Sequence, residues 1–169
     1  SRRQRQMCIR DRYGRYAYLY GGLYNIAKMQ EFHHAHIAGF HFGTYEELWD
    51  AYCKELYHMD TYYRRLHMDF RKSLVSASGT LDDLFKGAVV TAENLYKNWY
   101  LSELNGSWNA LIREPVADGF SLQGLPQQSD FYRRIVQPIA SDSRVFVIVS
   151  DALRYELSLI HISEPTRRS

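Results

Sequence analysis

Arg144–Glu156 reads RVFVIVSDALRYE, and this stretch decides the fold. Val145, Phe146, Val147, Ile148 and Val149 form an unbroken β-branched and aromatic run. A short run of this kind, bounded by polar residues, fits a strand buried on both faces of a parallel α/β sheet. A buried helix is the competing reading, and the shortness and β-branched content favour the strand. In open α/β sheets, ligands bind beyond the carboxyl ends of the strands. Asp151 stands at that point, directly after Ser150. A carboxylate held there by a rigid strand can bind a divalent metal. It can equally N-cap the following helix, and a strand followed by Asp is a weak signal alone. The residue three positions on is Arg154, not the Glu or Gln of a capping box, so nothing further supports the capping reading.

Upstream of this run the pattern is helical. From Tyr16, apolar residues recur at Leu19, Leu23 and Ile26, and Gly39 and Gly43 mark a break. Thr44 followed by Glu47 is a capping-box pattern. Leu48, Tyr52, Leu56, Met59, Tyr63, Leu66, Phe70 and Leu74 then step by three or four, which predicts one long amphipathic helix over about 45–75. Its other face carries Glu46, Asp50, Lys54, Arg64, Arg65 and Arg71. The SASGT loop ends at Thr80, an N-cap candidate, and Leu81, Leu84, Ala88, Ala92, Leu95 and Trp99 trace a second helix. Asn105–Gly106 suggests its end or a kink, with Trp108, Leu111 and Ile112 forming a further apolar cluster. Pro115 to Gln128 reads as an irregular linker, and Asp130 as the cap of a short helix carrying Phe131 and Ile135. The fold expected is a mainly α-helical region, 13–140, leading into the first strand of a truncated α/β domain, 141–156.

The ends of the chain distort its bulk properties. Back-translated, residues 2–11 (RRQRQMCIRD) and 157–167 (LSLIHISEPTR) resemble, continuously and in frame, the two partner sequences of a transposase sequencing adaptor. Residues 1–12 and 157–169 are therefore expected to be adaptor-derived and are set aside in fold reasoning. They hold seven arginines and two acids of the chain's 21 basic and 19 acidic residues, so the rest has 14 and 17, formally −3 rather than +2. Net charge thus gives no support to a nucleic-acid partner. Of the two cysteines, Cys8 falls in the adaptor stretch and Cys53 is alone, which suits a reducing cytoplasm and excludes a disulfide framework. No run approaches the ~18 apolar residues of a membrane span.

Three other groups invite a chemical reading. His33, His34 and His36 form HHAH, but neighbours on a helix point to different faces, and no third ligand follows nearby. A surface or partly buried cluster outweighs a metal site. Tyr62, Tyr63, Arg64 and Arg65 mix aromatic and basic residues as single-strand nucleic-acid binders do. Tyr63 belongs to the packed seam, however, and the two arginines read as a solvated face. Asp82 and Asp83 read as helix N-terminal charges complementing the dipole.

The segment Val145–Glu156 resembles the opening strand and motif of the PglZ family, whose members carry an alkaline-phosphatase-superfamily domain and belong to the Pgl and BREX phage-defence systems. TYEELWDAYCKELYHMDTYYRRLH (Thr44–His67), ENLYKNWYLSELNGSW (Glu93–Trp108) and QQSDFYRRIVQP (Gln127–Pro138) are similar to the helical segment preceding that domain in the BREX type 1 form. The resemblance implies a metal-dependent phosphatase or phosphodiesterase with two divalent ions, zinc by expectation, and other defence components as partners. It implies that Asp151 is a metal ligand. Arg154 and Glu156 match the family motif; Arg154 would either bind phosphate or hold the helix start by an ion pair. The nucleophile and remaining ligands are expected downstream of Glu156, so this fragment alone is expected to be inactive. The alternative is a helical interaction module that docks other defence components without catalysis. Without its sheet, the run 145–149 is expected to pack on the helices, and the tail to be irregular or helical without packing.

Overall fold

The computed structural model describes residues 2–73, 80–117, 119, 122–149 and 154–163, with side chains placed for 16–73, 83–117, 119, 122–149 and 154–159. Every regular element among them is helical: α1 (Arg2–Ala35), α2 (Tyr45–Ala51), α3 (Tyr57–Ser73), α4 (Thr80–Asn94), α5 (Leu101–Ile112), α6 (Gln137–Ala140) and α7 (Tyr155–Ser163). Wide π-type turns at Tyr52–Leu56, Leu95–Tyr100 and Tyr132–Val136 join neighbouring helices, and Gln128–Asp130 is a 3-10 turn. The chain divides into two compact units, Ser1–Phe40 with Glu55–Asn105, and His41–Lys54 with Gly106–Ser169.

In the first unit α1 and α4 both pack on α3 and on each other. Ile26, Met29 and Phe32 of α1 are buried with Leu56, Met59 and Leu66, as the three-and-four spacing of the long helix over about 45–75 predicts. The approach of α1 to α4 is set by Gly22, where a Cβ would lie 2.3 Å from Cζ of Phe85. Only a residue without a side chain lets that buried ring sit against the helix backbone. Gly39 then turns the chain out of α1 with φ of 84°, a left-handed conformation glycine adopts without strain, and its N–H donates to the His36 carbonyl at 2.9 Å.

The seam of α4 differs from the one the sequence predicts. Leu84 is 68% exposed, while Phe85, Val89, Ala92, Tyr96 and Tyr100 are buried. Aromatic rings bury more surface than Leu84 does, so the helix settles with Phe85, Tyr96 and Tyr100 inward. The helix also does not end at Asn105–Gly106; α5 runs through both to Ile112.

In the second unit the predicted capping box is present in modified form. The Glu47 N–H donates to Thr44 Oγ1 at 3.2 Å, and the Glu47 carboxylate accepts from the Gly43 N–H at 2.9 Å rather than from Thr44. Leu48 is buried, and the Trp49 and Trp108 rings lie 6.3 Å apart. The Tyr45 hydroxyl donates to the Gln123 carbonyl at 2.8 Å, fastening the irregular segment that follows α5. Asp130 lies inside the 3-10 turn and pairs with Arg133 at 3.0 Å instead of capping a helix. Phe131 and Ile135 face solvent, and Val136 is the buried residue of that segment.

Two expectations for the end of the chain change. Residues 145–149 have no regular secondary structure, and Phe146, Val147, Ile148 and Val149 are 82%, 48%, 91% and 87% exposed. They do not pack on the helices. A strand-forming run with both faces apolar gains little from one helical surface, because its backbone groups find no ladder there. The tail from Leu157, expected to be irregular or helical without packing, is helical as far as Ser163, and Leu157, Ser158 and Leu159 are half-buried.

Candidate functional site

Asp151 lies outside the described residues. The residues after it are placed. The Arg154 carbonyl accepts from the N–H groups of Leu157 at 3.0 Å and Ser158 at 3.2 Å, so Arg154 holds the N-cap position of α7. The Arg154 side chain is exposed. Tyr155 anchors the helix start: its hydroxyl donates to the Cys53 carbonyl at 3.2 Å, and its ring lies 5.9 Å from that of Tyr52. Glu156 is buried. The motif thus divides into an exposed cation, a tyrosine that fixes the helix start, and a buried carboxylate. No group of three His, Cys, Asp or Glu side chains that could hold a metal occurs among the described residues. These residues alone do not make a metal site, and any ligand role for Asp151 needs partners from elsewhere.

Of the HHAH histidines, His33 and His36 are engaged in packing, and His34 is exposed. The His33 ring meets Trp99 edge-on at 4.4 Å. His36 stacks on Phe32 at 4.3 Å, its Nδ1 lies 2.9 Å from the Phe32 carbonyl, and its Nε2 lies 3.6 Å from Glu55. Of the tyrosine–arginine group, Tyr63 is half-buried and stacks face to face on the buried Tyr96 at 3.8 Å.

The polar centre of the first unit was not singled out from the sequence. Asp60 is buried, with the Tyr96 hydroxyl donating to Oδ1 at 2.5 Å and the Tyr100 hydroxyl 3.4 Å from Oδ2. The Tyr100 hydroxyl also donates to the Leu56 carbonyl at 2.9 Å. Leu56 closes one π-type turn and Tyr100 closes another, and a wide turn leaves carbonyls outside the regular ladder. The phenol supplies the donor, so the two irregular turns are pinned by one bond. Asp60 stands four residues after Leu56 on the seam, and Tyr96 and Tyr100 are four apart; a carboxylate on an apolar face was the available signal. Nearby, Glu93 lies 3.4 Å from Nε2 of His67 and 3.2 Å from Nζ of Lys97. Burial holds the His67 imidazole below its ordinary range, opposed by Glu93. Burial raises the Asp69 carboxyl, opposed by Lys72 and Arg65. The Asp60–Tyr96–Tyr100 network is buried and suits a structural anchor.

Two known proteins are similar to this chain over most of its length. It is 35% identical over 147 residues to the alkaline phosphatase-like protein BrxZ of Escherichia coli, covering 85% of this chain and 16% of that protein. It is 34% identical over 113 residues to the alkaline phosphatase-like protein PglZ of Bacillus cereus, covering 66% of this chain and 12% of that protein. No family model and no solved structure matches. The chain belongs to the PglZ family of alkaline phosphatase-like proteins. It spans less than a fifth of the length of these relatives.

Proposed function

We propose that this sequence is part of a PglZ-type, metal-dependent phosphatase or phosphodiesterase of a BREX or Pgl phage-defence system, working in the cytoplasm beside other components of that system. It supplies the helical region ahead of the catalytic domain and the first strand of that domain, Val145–Val149. The observation that carries this reading is the 35% identity across 85% of the chain to an alkaline phosphatase-like protein. Asp151 is one ligand of a divalent metal, zinc by family resemblance, and a metal so held would polarise a phosphate ester. Arg154, exposed at the start of α7, would take a phosphate oxygen. One carboxylate does not assemble such a site, so the chemistry belongs to the longer protein, and the 169-residue chain is inactive by itself. No helix among the described residues is long and apolar enough to cross a membrane.

The test is a full-length PglZ-family protein carrying this sequence, assayed on bis(p-nitrophenyl) phosphate with and without chelator, with bound metal measured by mass spectrometry. Asp151→Asn and Asp151→Ala should abolish chelator-sensitive hydrolysis and lower the metal content while the helical signal persists. Unchanged turnover and metal content in both variants would refute the ligand role.

A further inference from the structure

Phe131, Ile135 and Ile139 stand four residues apart along the π-type turn and α6, and they are 47%, 54% and 53% exposed. Residues at this spacing line one face, and here that face is apolar and open to water. Three large apolar side chains in one row are a contact surface rather than scattered exposure. The helix is not simply loose, because Val136 on another side of it is buried.

What covers the row is indicated by the chain that follows. The amides of Ser141 and Ser143 bond back to the carbonyls of Gln137 and Ile139, at 3.2 and 3.1 Å, which keeps the turn after α6 tight. The exposed run Val145–Val149 begins a few residues further on, within roughly 17 Å of the helix end even if the link were fully stretched. Any sheet built around that run is therefore tethered next to the apolar row at high effective concentration. The run needs pairing on both edges and cover on both faces. The row offers cover for a sheet surface and carries no charge of its own. The relatives are several times longer than this chain, so the material for such a sheet exists in the family.

We infer that Phe131, Ile135 and Ile139 form an intramolecular docking face for the sheet domain that Val145–Val149 opens, so that α6 is the hinge-side buttress of that domain. This inference rests on the strand reading above and adds to it a contact that the reading does not require.

Hydrogen–deuterium exchange on the full-length protein and on the 169-residue chain tests it. Peptides within 131–140 should exchange at least about 100-fold more slowly in the full-length protein. The double variant Ile135→Asp, Ile139→Asp should lose that protection while peptides around Asp60 keep theirs. Fast exchange at 131–140 beside slow exchange at 145–149 would overturn the docking face and leave the strand reading intact. Fast exchange in both would overturn both. Protection that grows with protein concentration, together with a dimer in sedimentation, would assign the face to a second copy and overturn the inference. Should the double variant fail to fold, the wild-type comparison decides alone.

Discussion

The Tyr96 hydroxyl donates to Oδ1 of Asp60 at 2.5 Å inside a core where both residues are buried. Thirty-six residues separate them, and the bond ties α3 to the π-type turn that follows α4. A buried acceptor that loses its donor costs about 1–3 kcal/mol. Tyr96→Phe should therefore destabilise the chain by that amount in urea unfolding. In a double-mutant cycle with Asp60→Ala the two losses should be strongly non-additive. Additive losses would show that the pair contributes nothing as a pair.

Tyr100 joins the same network from the next turn, and its hydroxyl serves the Leu56 carbonyl. Tyr100→Phe leaves the ring packing in place and removes the donor that pins the two irregular turns. The expected cost is again about 1–3 kcal/mol, with faster amide exchange confined to residues around Leu56 and Tyr100. Uniformly changed exchange across the first unit would contradict the local pinning role.

Gly22→Ala places a methyl 2.3 Å from the Phe85 ring, and that ring is buried. Overpacking of this kind costs typically 1–3 kcal/mol, measured as a lowered urea midpoint. Phe85→Leu in the same chain should recover part of the loss. Gly87→Ala is the opposite case: nothing lies within 4 Å of its added Cβ, and it sits inside α4. It should stabilise the chain by up to about 1 kcal/mol.

The two shifted groups of α3 give stability opposite slopes with pH. His67 titrates lower folded than unfolded because burial disfavours the imidazolium. The unfolded chain then binds more protons just below the ordinary histidine value of 6.5, so stability is full above it and falls as pH drops through that window. Asp69 is raised by burial, so the folded chain binds more protons just above 3.8, and stability falls there as pH rises. His67→Gln should flatten the first slope and Asp69→Asn the second, read from unfolding midpoints across pH 3–7. An unchanged profile in either variant would remove that group from the balance.

Arg154 holds the cap of α7 through its backbone carbonyl, so Arg154→Ala should leave helix content unchanged. If its guanidinium takes substrate phosphate, Arg154→Lys in the full-length protein should raise KM more than it lowers kcat, since a point charge replaces a bidentate fork. An equal KM in wild type and both variants would assign Arg154 to structure.

The sequence by itself determined the long seam helix, its cap at Thr44 and the family. Three-and-four spacing from Leu48 to Phe70 is a local signal, and a helix that buries one stripe has no freedom to choose another. The family lay in a resemblance spread over most of the chain, which needs no folding to be read. The register of α4 was not legible, because Leu84 and Phe85 are equally apolar and only Gly22 across the interface selects the ring. The Asp60 network was hidden for the same reason: its partners lie 36 and 40 residues away, and a buried carboxylate is tolerable only where phenols arrive to meet it. For Val145–Val149 the limit runs the other way. A strand is defined by its neighbours, so the β-branched run carries the propensity, and neighbouring strands would have to give it the hydrogen bonds that make it one.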